Sequence, residues 1–428
     1  MNILIYSSLW SPSVGGVQSV TNTLARGLAE WNEGDSREVK VTVATPSPTS
    51  GSRNANADGS LRVVGDAGFF RICRLVWRSD IIHLAGPALL PLLLAWFFSK
   101  KAVILHHGYQ AVCPDGSLVH FVDQRVCCNS FASGKVSDCV RCRVANVGWL
   151  RGLISVALAY PRLWLCRRVA ANIGVSKHVS AQIGLPRTST IYSAPANHIV
   201  SPLVEFPRPE PIANFYLDSD APLLAFVGRL TNEKGVTTLL HAAAALAAED
   251  VEFRVRIIGD GPERARLAIL AWSLRLRDRV EFTGTLEGAA LEAAVLGAVG
   301  VVLPSVAVET AGLVAIEQMM RGRVVIASDT GGLGEIVGEA GLKFPPGDIE
   351  ALTDCLRRVL GDPKLCMTLG RAARSRALEH FAQERMVEEH INLYSQILET
   401  QVRVRPQMRA PSQANQRVAL ASRRKRAG

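Results

Sequence analysis

The feature that most restricts the fold of this chain is a regular alternation of short β-branched runs with longer helical stretches. Residues 1–6 and 39–44 are apolar runs of strand length, and residues 17–30 between them carry apolar side chains at helical spacing. Further strands are predicted at 80–84, 102–106, 170–175 and 188–192, with a helix at 87–99. Strands that alternate with helices in this way predict a parallel sheet covered by helices on both faces.

A second series of the same kind follows a proline-rich stretch that lacks periodicity. Its predicted strands are 223–227, 253–258, 280–283, 301–304 and 324–328, and its predicted helices are 235–248, 263–274, 288–299, 312–321 and 349–360. The fold class predicted is therefore α/β, with two Rossmann-like doubly wound domains facing a cleft. Such a cleft usually holds the functional site, at the carboxyl ends of the strands.

These patterns also predict the domain boundaries. The first domain is expected to cover residues 1–200, a linker 201–222, and the second domain 223–382. A closing helix at 383–400 is expected to pack back on the first domain, and the basic tail 401–428 is too polar to fold alone.

Composition excludes two classes of protein. The 428 residues are 48% hydrophobic, too apolar for a wholly disordered chain, and nine cysteines are too few for a disulfide scaffold. The sequence does not open with a positively charged segment followed by an apolar one, so we expect a cytoplasmic protein. Residues 81–98 carry no charge, but a histidine and two prolines favour a strand, a turn and a buried helix over a membrane span.

The net charge of +10 is unevenly distributed. Residues 139–204 and 401–428 each contain eight basic side chains and no acidic one. In 139–204 the arginines alternate with aromatic and aliphatic residues. This segment and the basic tail 401–428 together predict peripheral contact with an anionic membrane surface at the inner face of the cell membrane. The ordinary alternative is an amphipathic helix packed on the sheet with a basic outer face. No nucleic-acid recognition motif accompanies the charge, so we expect no nucleic-acid partner.

Three loops at predicted strand ends carry candidate functional residues. The loop 228–235 places Arg229 and Lys234 after a strand, where two cations suit a diphosphate, although a solvated surface loop would look the same. Paired glycines, Gly15 and Gly16, precede the first helix, where the backbone can approach an anion. The third loop contains Glu309 and leads into a helix whose amino end points at the cleft.

Taken together, these motifs resemble a GT-B glycosyltransferase of family 4. The resemblance rests on Glu309 and Glu317 with seven residues between them, on Gly228-Arg229-Leu230 before Lys234-Gly235, and on Asp329-Thr330-Gly331-Gly332 before Glu335. It extends over nearly all of residues 1–400, in the right order. It implies a retaining transfer of sugar from a nucleotide-diphosphate sugar to an acceptor.

The resemblance also implies roles for individual residues. Arg229 and Lys234 would bind the donor diphosphate, Glu309 the donor sugar and Glu317 the ribose hydroxyls. His107, chosen over His106, would touch the donor sugar. The remaining donor-binding residues would be Gly15, Gly16, Gly228, Ala311, Gly312 and Leu313. Family members often have an aromatic residue where Ala311 stands, and proline where Val324 and Gly334 stand, so the donor-sugar pocket departs from the usual pattern.

These roles predict chemistry without a metal and without a cofactor, because the cations of the chain would stabilise the leaving phosphate. The triplet Asp218-Ser219-Asp220 resembles a metal-binding motif but lies in the predicted linker, so we interpret it as coincidence. Four thiols, Cys113, Cys128, Cys139 and Cys142, have spacing that suits zinc, yet free thiols packed against the sheet fit equally well.

The sequence therefore predicts a retaining hexosyltransferase that uses a nucleotide-diphosphate sugar donor and a glycan or lipid-linked acceptor, in the synthesis of a bacterial surface polysaccharide or glycolipid. Two alternatives remain at this point. One is a nucleotide-sugar epimerase of the same fold, and the other is a non-catalytic nucleotide-sugar-binding protein.

Overall fold

A computed structural model describes residues 1–8, 10, 15–31, 39–47, 60–122, 127, 130–195 and 221–404, the last four by their backbone alone. Most of the predicted linker, residues 201–220, and most of the basic tail, residues 405–428, lie outside the described residues. By internal contacts the chain divides into two compact units, residues 1–390 and 391–428.

The amino-terminal part of the larger unit is built on a sheet of parallel strands. These strands are β1 (Asn2–Tyr6), β2 (Lys40–Ala44), β3 (Leu61–Val64), β4 (Ile81–Ala85), β5 (Lys101–His106), β6 (Ala171–Gly174) and β7 (Thr188–Thr190). Their order across the sheet is β3-β2-β1-β4-β5-β6-β7. The chain reverses direction across the sheet between β1 and β4, which opens a crevice at the carboxyl ends of these two strands.

Helices cover both faces of this sheet. They are α1 (Gly16–Glu30), α2 (Phe69–Arg78), α3 (Leu89–Phe97), α4 (Val136–Val147), α5 (Trp149–Cys166) and α6 (Lys177–Ile183). Right-handed crossovers place α2, α3, α5 and α6 on one face and α1 on the other, because the chain runs in opposite directions across the sheet on the two sides of β1.

The second sheet has the same strand order through six strands. It contains β8 (Leu223–Val227), β9 (Arg254–Ile258), β10 (Val280–Gly284), β11 (Ala298–Leu303), β12 (Val324–Ser328) and β13 (Leu342–Phe344), arranged β10-β9-β8-β11-β12-β13. All of its strand pairs are parallel. The crevice of this sheet lies between β8 and β11.

The remaining helices cover the second sheet and close the described chain. They are α7 (Val236–Ala248), α8 (Arg264–Ser273), α9 (Gly288–Leu296), α10 (Leu313–Met320), α11 (Gly331–Val337), α12 (Ile349–Gly361), α13 (Pro363–His380) and α14 (Gln383–Val404). Successive residues of β12 are apolar on both faces of the second sheet, so helices must cover both faces. Val324 and Ile326 belong to one apolar cluster, and Val325 and Ala327 to the other.

The prediction of two parallel α/β sheets of Rossmann type is confirmed, but some element boundaries were wrong. The helix predicted over 288–299 ends at Leu296, and Ala298 already begins β11. The stretch from Ala298 to Leu303 is buried at every residue, so it forms a central strand rather than the last turn of a helix. Pro87, predicted inside the first helical turn, precedes α3, whose amino-terminal cap is Ala88.

Within the larger unit, the start of α14 contacts the amino-terminal sheet region. The Ala194 backbone N–H lies 3.4 Å from the Met386 Sδ, and a side chain on Gly27 of α1 would collide with Val387. The domain boundaries themselves stay a prediction. Among the described residues, no helix is long and apolar enough to cross a membrane.

Candidate active site

The centre of the candidate site is a pair of opposite charges at the crevice of the second sheet. The Lys234 Nζ lies 2.5 Å from the Glu309 Oε1, and the Ser305 hydroxyl donates to the same oxygen at 2.5 Å. Lys234 follows β8, and Ser305 and Glu309 follow β11, the two strands that border the crevice. The side chains of Lys234 and Glu309 remain 35% and 22% exposed, so a ligand can reach both.

A glycine allows these two loops to approach each other. Gly235 has a φ of +66°, and a Cβ at this position would lie only 1.8 Å from the Pro304 carbonyl oxygen. The Val306 N–H also donates to the Glu233 carbonyl at 2.9 Å, which ties the β11 loop to the β8 loop. Any larger residue at position 235 would therefore separate Lys234 from Glu309.

Arg229 lies on the loop of Lys234, next to Gly228 at the end of β8. Its side chain is exposed and makes no hydrogen bond or ion pair with the described residues. The pKa of Glu233 on this loop is lowered, first by a hydrogen bond from Thr231 and then by the charges of Arg229 and Lys234. The loop thus supplies one cation held by Glu309 and one that is free to meet a ligand.

Two helix amino termini meet beside this loop. Helix α10 begins at Leu313 after its cap Gly312, and α1 begins at Gly16 after Gly15, whose φ is +122°. A Cβ on Gly16 would lie 3.1 Å from the Leu313 Cδ1, so the two termini face each other closely. Ala311, just before α10, is partly buried against the apolar cluster of the second sheet. The first-turn N–H groups and the positive dipole ends of α1 and α10 favour the binding of an anion between the two helix termini.

Glu317 lies about one turn into α10, eight residues beyond Glu309 along the chain. Burial raises the pKa of its carboxyl to about 7, although the charge of Arg321 opposes the shift. The Arg321 guanidinium contacts the Glu292 carboxylate and the Glu317 backbone carbonyl, and the Glu317 carboxyl itself has no hydrogen-bond partner among the described residues. Such a carboxyl is suited to accept hydrogen bonds from ligand hydroxyl groups.

The structure separates the two adjacent histidines at the end of β5. His106 is fully buried, and its Nε2 lies 2.9 Å from the Asn172 Oδ1, so it is a core histidine with a partner. The buried Nε2 of His107 has no hydrogen-bond partner among the described residues. Burial, followed by the nearby His106 and His390, lowers the pKa of His107 to about 4. His107 therefore presents a neutral imidazole at neutral pH.

Tyr109, which sequence reasoning missed, lies just beyond His107. It is almost fully buried, and its hydroxyl has no hydrogen-bond partner among the described residues. Its ring makes an edge contact with His178, with 6.3 Å between the ring centroids. Burial and then the negative charge of Glu309 raise the pKa of Tyr109 to about 12, which places the phenol near the Glu309 carboxylate. A lone tyrosine after a glycine gives no sequence signal for this placement.

Glu335 joins the two sheets, although its sequence motif gave it no role. Its carboxylate accepts hydrogen bonds from the backbone N–H groups of Lys177 and His178 at 2.8 and 2.9 Å, and from the Tyr192 hydroxyl at 2.6 Å. These donors belong to the amino-terminal half, and Glu335 belongs to α11 of the second. The negative carboxylate also lies at the positive end of α6.

The loop that carries Glu309 is fixed from both halves as well. The Ser176 hydroxyl donates to the Thr310 carbonyl at 2.7 Å, and the Gly332 N–H donates to the Glu309 carbonyl at 2.6 Å. Gly331 adopts a φ of +54°, and a Cβ there would lie 2.3 Å from the Glu309 carbonyl oxygen. The paired glycines 331 and 332 are thus needed because the backbone of the Glu309 loop passes directly against them.

Four thiols line a small cavity away from the charged pair. Cys113, Cys127, Cys139 and Cys142 border a cavity of about 20 Å³. Burial, followed by the other three thiols, raises the pKa of Cys139 to about 12. Cys128 of the predicted zinc set lies outside the described residues. In the part of the chain that the structure describes, no three side chains of histidine, cysteine, aspartate or glutamate are arranged to hold a metal ion.

Comparison with known proteins adds family information for the second half. Residues 208–376 match the family model described as glycosyl transferases group 1, which is less than half of the chain. The 2-deoxystreptamine glucosyltransferase of Streptomyces kanamyceticus is 35% identical over 162 residues, covering 37% of this chain and 42% of that protein. The chain thus spans about two-fifths of the length of this curated relative.

Solved structures with a similar fold cover more than nine-tenths of the chain. Sucrose-phosphate synthase from Thermosynechococcus elongatus superposes with a TM-score of 0.67 at 23% identity, covering 93% of this chain and 99% of that one. HepE from Anabaena in complex with UDP gives a TM-score of 0.67 at 16% identity, covering 92% and 100%. Residues 208–376 therefore resemble the glycosyl transferases group 1 family. The described residues have the two-sheet GT-B fold, and the relatives of the chain include glycosyltransferases.

Proposed function

We propose that the protein is a retaining glycosyltransferase that moves a hexosyl group from a nucleotide-diphosphate sugar to a glycan or lipid-linked acceptor. One observation carries the proposal: Lys234, Glu309 and the amino terminus of α10 meet at the crevice of the second sheet. The group 1 domain match over 208–376 includes all three. A related fold has been solved with UDP bound, which supports a nucleotide donor.

In this proposal the diphosphate lies against Arg229, Lys234 and the first turn of α10. As the glycosidic bond lengthens, negative charge grows on the leaving phosphate. Two cations and a helix dipole are already in place there, so they stabilise the transition state without reorganising. Glu317, about one turn along α10, would accept hydrogen bonds from the ribose hydroxyls. The chain itself provides this positive charge, so we expect activity to persist in excess EDTA.

The donor sugar would lie between Glu309 and the amino-terminal half. Because the Glu309 Oε1 already accepts bonds from Lys234 and Ser305, that oxygen is a poor nucleophile and suits a role in orienting the sugar. His107 and Tyr109 would contribute neutral hydrogen-bonding groups from the opposite side. Retention then requires the acceptor hydroxyl to approach on the face of the leaving group, with a phosphate oxygen taking its proton.

The acceptor would bind the amino-terminal half, near the carboxyl ends of β4 and β5. We propose a bacterial surface polysaccharide or glycolipid as the product class, because this half also exposes an apolar and basic surface suited to a lipid-linked acceptor. Cytoplasmic location remains a prediction.

The test begins with a thermal-shift screen of UDP-, GDP- and ADP-sugars, because a bound donor raises the melting temperature. Proton NMR then follows the stabilising donor with and without candidate acceptors. An α-linked product from an α-linked donor would support retaining transfer, and a β-linked product would contradict it. Conversion of the donor to its epimer without an acceptor would replace the proposal with epimerase activity. Donor binding without turnover for any acceptor would favour a binding protein.

A further inference from the structure

The outer helices of the amino-terminal half expose an unusual amount of apolar surface. Helix α2 exposes Phe70 by 85%, α3 exposes Phe97 by 71%, and α5 exposes Trp149 by 68%. Trp77 on α2 and Trp96 on α3 are also more than half exposed. A concentration of large aromatic side chains in one region marks an interaction surface rather than ordinary scatter.

Helix α5 is apolar on two opposite sides. Gly152, Val156, Ala159 and Leu163 are buried. At 100° per residue, the exposed Leu150, Ile154, Leu158 and Trp164 lie on the opposite side of the helix, and Leu153 lies about a quarter-turn from the buried side. A surface helix normally has a polar outer side, so one whose outer side is largely apolar requires a second apolar environment.

Ring contacts make this surface continuous across the helices. The Trp77 ring on α2 meets Phe98, just after α3, at 5.3 Å between centroids. The Trp96 ring on α3 meets Trp164 on α5 at 5.5 Å. The three helices lie on the same face of the sheet by their crossover direction. We call the outer surface formed by α2, α3 and α5 the aromatic face.

The charge of the aromatic face has a single sign. None of the three helices contains an acidic residue, and α2 exposes Arg71, Arg74 and Arg78. The Arg168 guanidinium lies 3.8 Å above the Trp164 ring, and the Lys100 ammonium lies 5.9 Å from the Trp77 ring. Aromatic rings interleaved with cations are the composition of proteins that lie in the headgroup region of anionic membranes.

A cavity opens between the ends of α3 and α5, at the amino ends of β5 and β6. Its volume is about 280 Å³, and its lining includes Lys100, Lys101 and Arg168 beside Leu92 and Trp96. Three cations next to apolar walls fit a phosphate attached to a hydrocarbon chain, which offers negative charge and apolar surface together.

We propose that the aromatic face docks the protein on an anionic lipid bilayer, with a lipid phosphate in the cavity lined by Lys100, Lys101 and Arg168. Charge complementarity selects this occupant: a second copy of the chain would bring the same positive charge against itself. The sequence predicted a membrane surface over 139–204, which contains α5; the aromatic face also includes α2 and α3, which lie outside that range. It does not depend on sugar transfer.

Vesicle sedimentation tests the proposal with the full chain. The vesicles are phosphatidylcholine alone and phosphatidylcholine mixed with phosphatidylglycerol. One variant combines Phe70→Ser, Phe97→Ser and Trp149→Ser. Because these three side chains are exposed, the variant should fold normally. The control combines Ile269→Ser and Trp272→Ser, two apolar residues on α8 of the second half that are exposed by 69% and 68%. A second variant combines Arg71→Gln, Arg74→Gln and Arg78→Gln, and a third lacks residues 405–428.

We expect the wild type and the control to bind the anionic vesicles and to bind neutral vesicles far more weakly. The triple serine variant should bind at least about tenfold more weakly, because each ring contributes apolar burial. Each arginine removed should weaken binding roughly fivefold at low salt. Should the serine variant fail to fold, the arginine variant still tests the face.

Several results would overturn the proposal. No binding of the wild type to anionic vesicles would do so, as would equal binding by the serine variant and the control. Loss of binding only on removal of residues 405–428 would assign the membrane contact to the tail. A dimer of the wild type that the serine substitutions dissociate, without vesicle binding, would assign the aromatic face to a second copy of the chain.

Discussion

The two sheets share one strand order, yet the groups they present at their crevices differ in charge. The second sheet presents Lys234, Glu309 and Arg229. The first presents the imidazole of His107, whose pKa burial lowers to about 4, and the phenol of Tyr109, so both groups are neutral at neutral pH. One topology thus supports an ionic side and a neutral side. The family match, over residues 208–376, covers the ionic side alone.

The two crevices differ because their loops meet different chemical requirements. A diphosphate needs fixed positive charge, and the loops after β8 and β11 can provide it only with glycines at their points of contact. The amino-terminal half has no such demand, and its outer helices carry the aromatic face instead.

The largest effect is expected for Lys234→Ala. Loss of one preorganised cation at the leaving group should lower kcat by about 10²- to 10³-fold. Lys364→Ala, an exposed lysine on α13, is the control and should leave kcat unchanged. Steady-state kinetics with the identified donor measures both. A fall of less than about threefold for Lys234→Ala would remove the ionic side from the mechanism.

His107→Gln tests the neutral side through the pH dependence of stability. Because burial lowers the pKa of His107 from 6.5 to about 4, the unfolded chain binds more protons between these values, and stability is lost as pH falls through this window. The loss should reach up to about 3 kcal/mol for this residue. The control is His241→Gln, on α7 of the second half. Urea titrations from pH 7 to pH 4 should show a smaller loss of unfolding free energy for His107→Gln than for this control. Equal pH profiles would contradict a buried neutral imidazole.

Glu335→Ala tests the connection between the two sides. Removing a carboxylate that accepts from two backbone N–H groups and a tyrosine should lower the free energy of unfolding by about 2 kcal/mol. Glu339→Ala is the control, since that side chain is fully exposed. Urea denaturation should separate the two variants. If they unfold alike, the Glu335 contacts do not hold the halves together.

The smallest effect is expected for Glu317→Gln, and its sign is opposite to that of His107. Burial raises the pKa of Glu317 to about 7, so the folded chain keeps a proton that the unfolded chain has lost, and stability falls as pH rises from 4.5 to 7. Glu317→Gln should therefore be about 1 kcal/mol more stable than the wild type at pH 8 and equal to it at pH 4. Glu388→Gln, on the exposed side of α14, should match the wild type throughout. A variant less stable than the wild type at pH 8 would show that the ionised carboxyl is favoured by the fold.

Urea titrations in the presence of UDP measure its binding, because a ligand of the folded chain raises the free energy of unfolding. If the Glu317 carboxylate accepts from ribose hydroxyls, UDP should bind the wild type more weakly at pH 6 than at pH 8. Glu317→Gln reports the part of this change that comes from the phosphate alone. An identical pH dependence in the two proteins would remove the ribose role.

Much of the fold could be predicted because burial and local periodicity agree along the chain. The boundaries of β8 and β12 were predicted to the residue, since both are continuous apolar runs between turn residues. Helix α9 was extended too far because the alanine-rich run continues into the buried strand β11 without a change in composition. Helix α2 was not predicted, although its buried Ile72 and Val76 have the i, i+4 spacing of an amphipathic helix.

For the site, the sequence determined which residues carry charge and which loops need glycine. Lys234, Glu309 and the glycine pairs could be singled out because their chemistry follows from residue type and from position at a strand end. Only the tertiary structure decided which groups meet: Ser305 with Glu309, Glu335 with the start of α6, His106 rather than His107 with Asn172. The contacts of Glu335 and His106 join residues far apart in the chain. Burial, which shifts the pKa of His107 and Glu317, depends on everything packed around them.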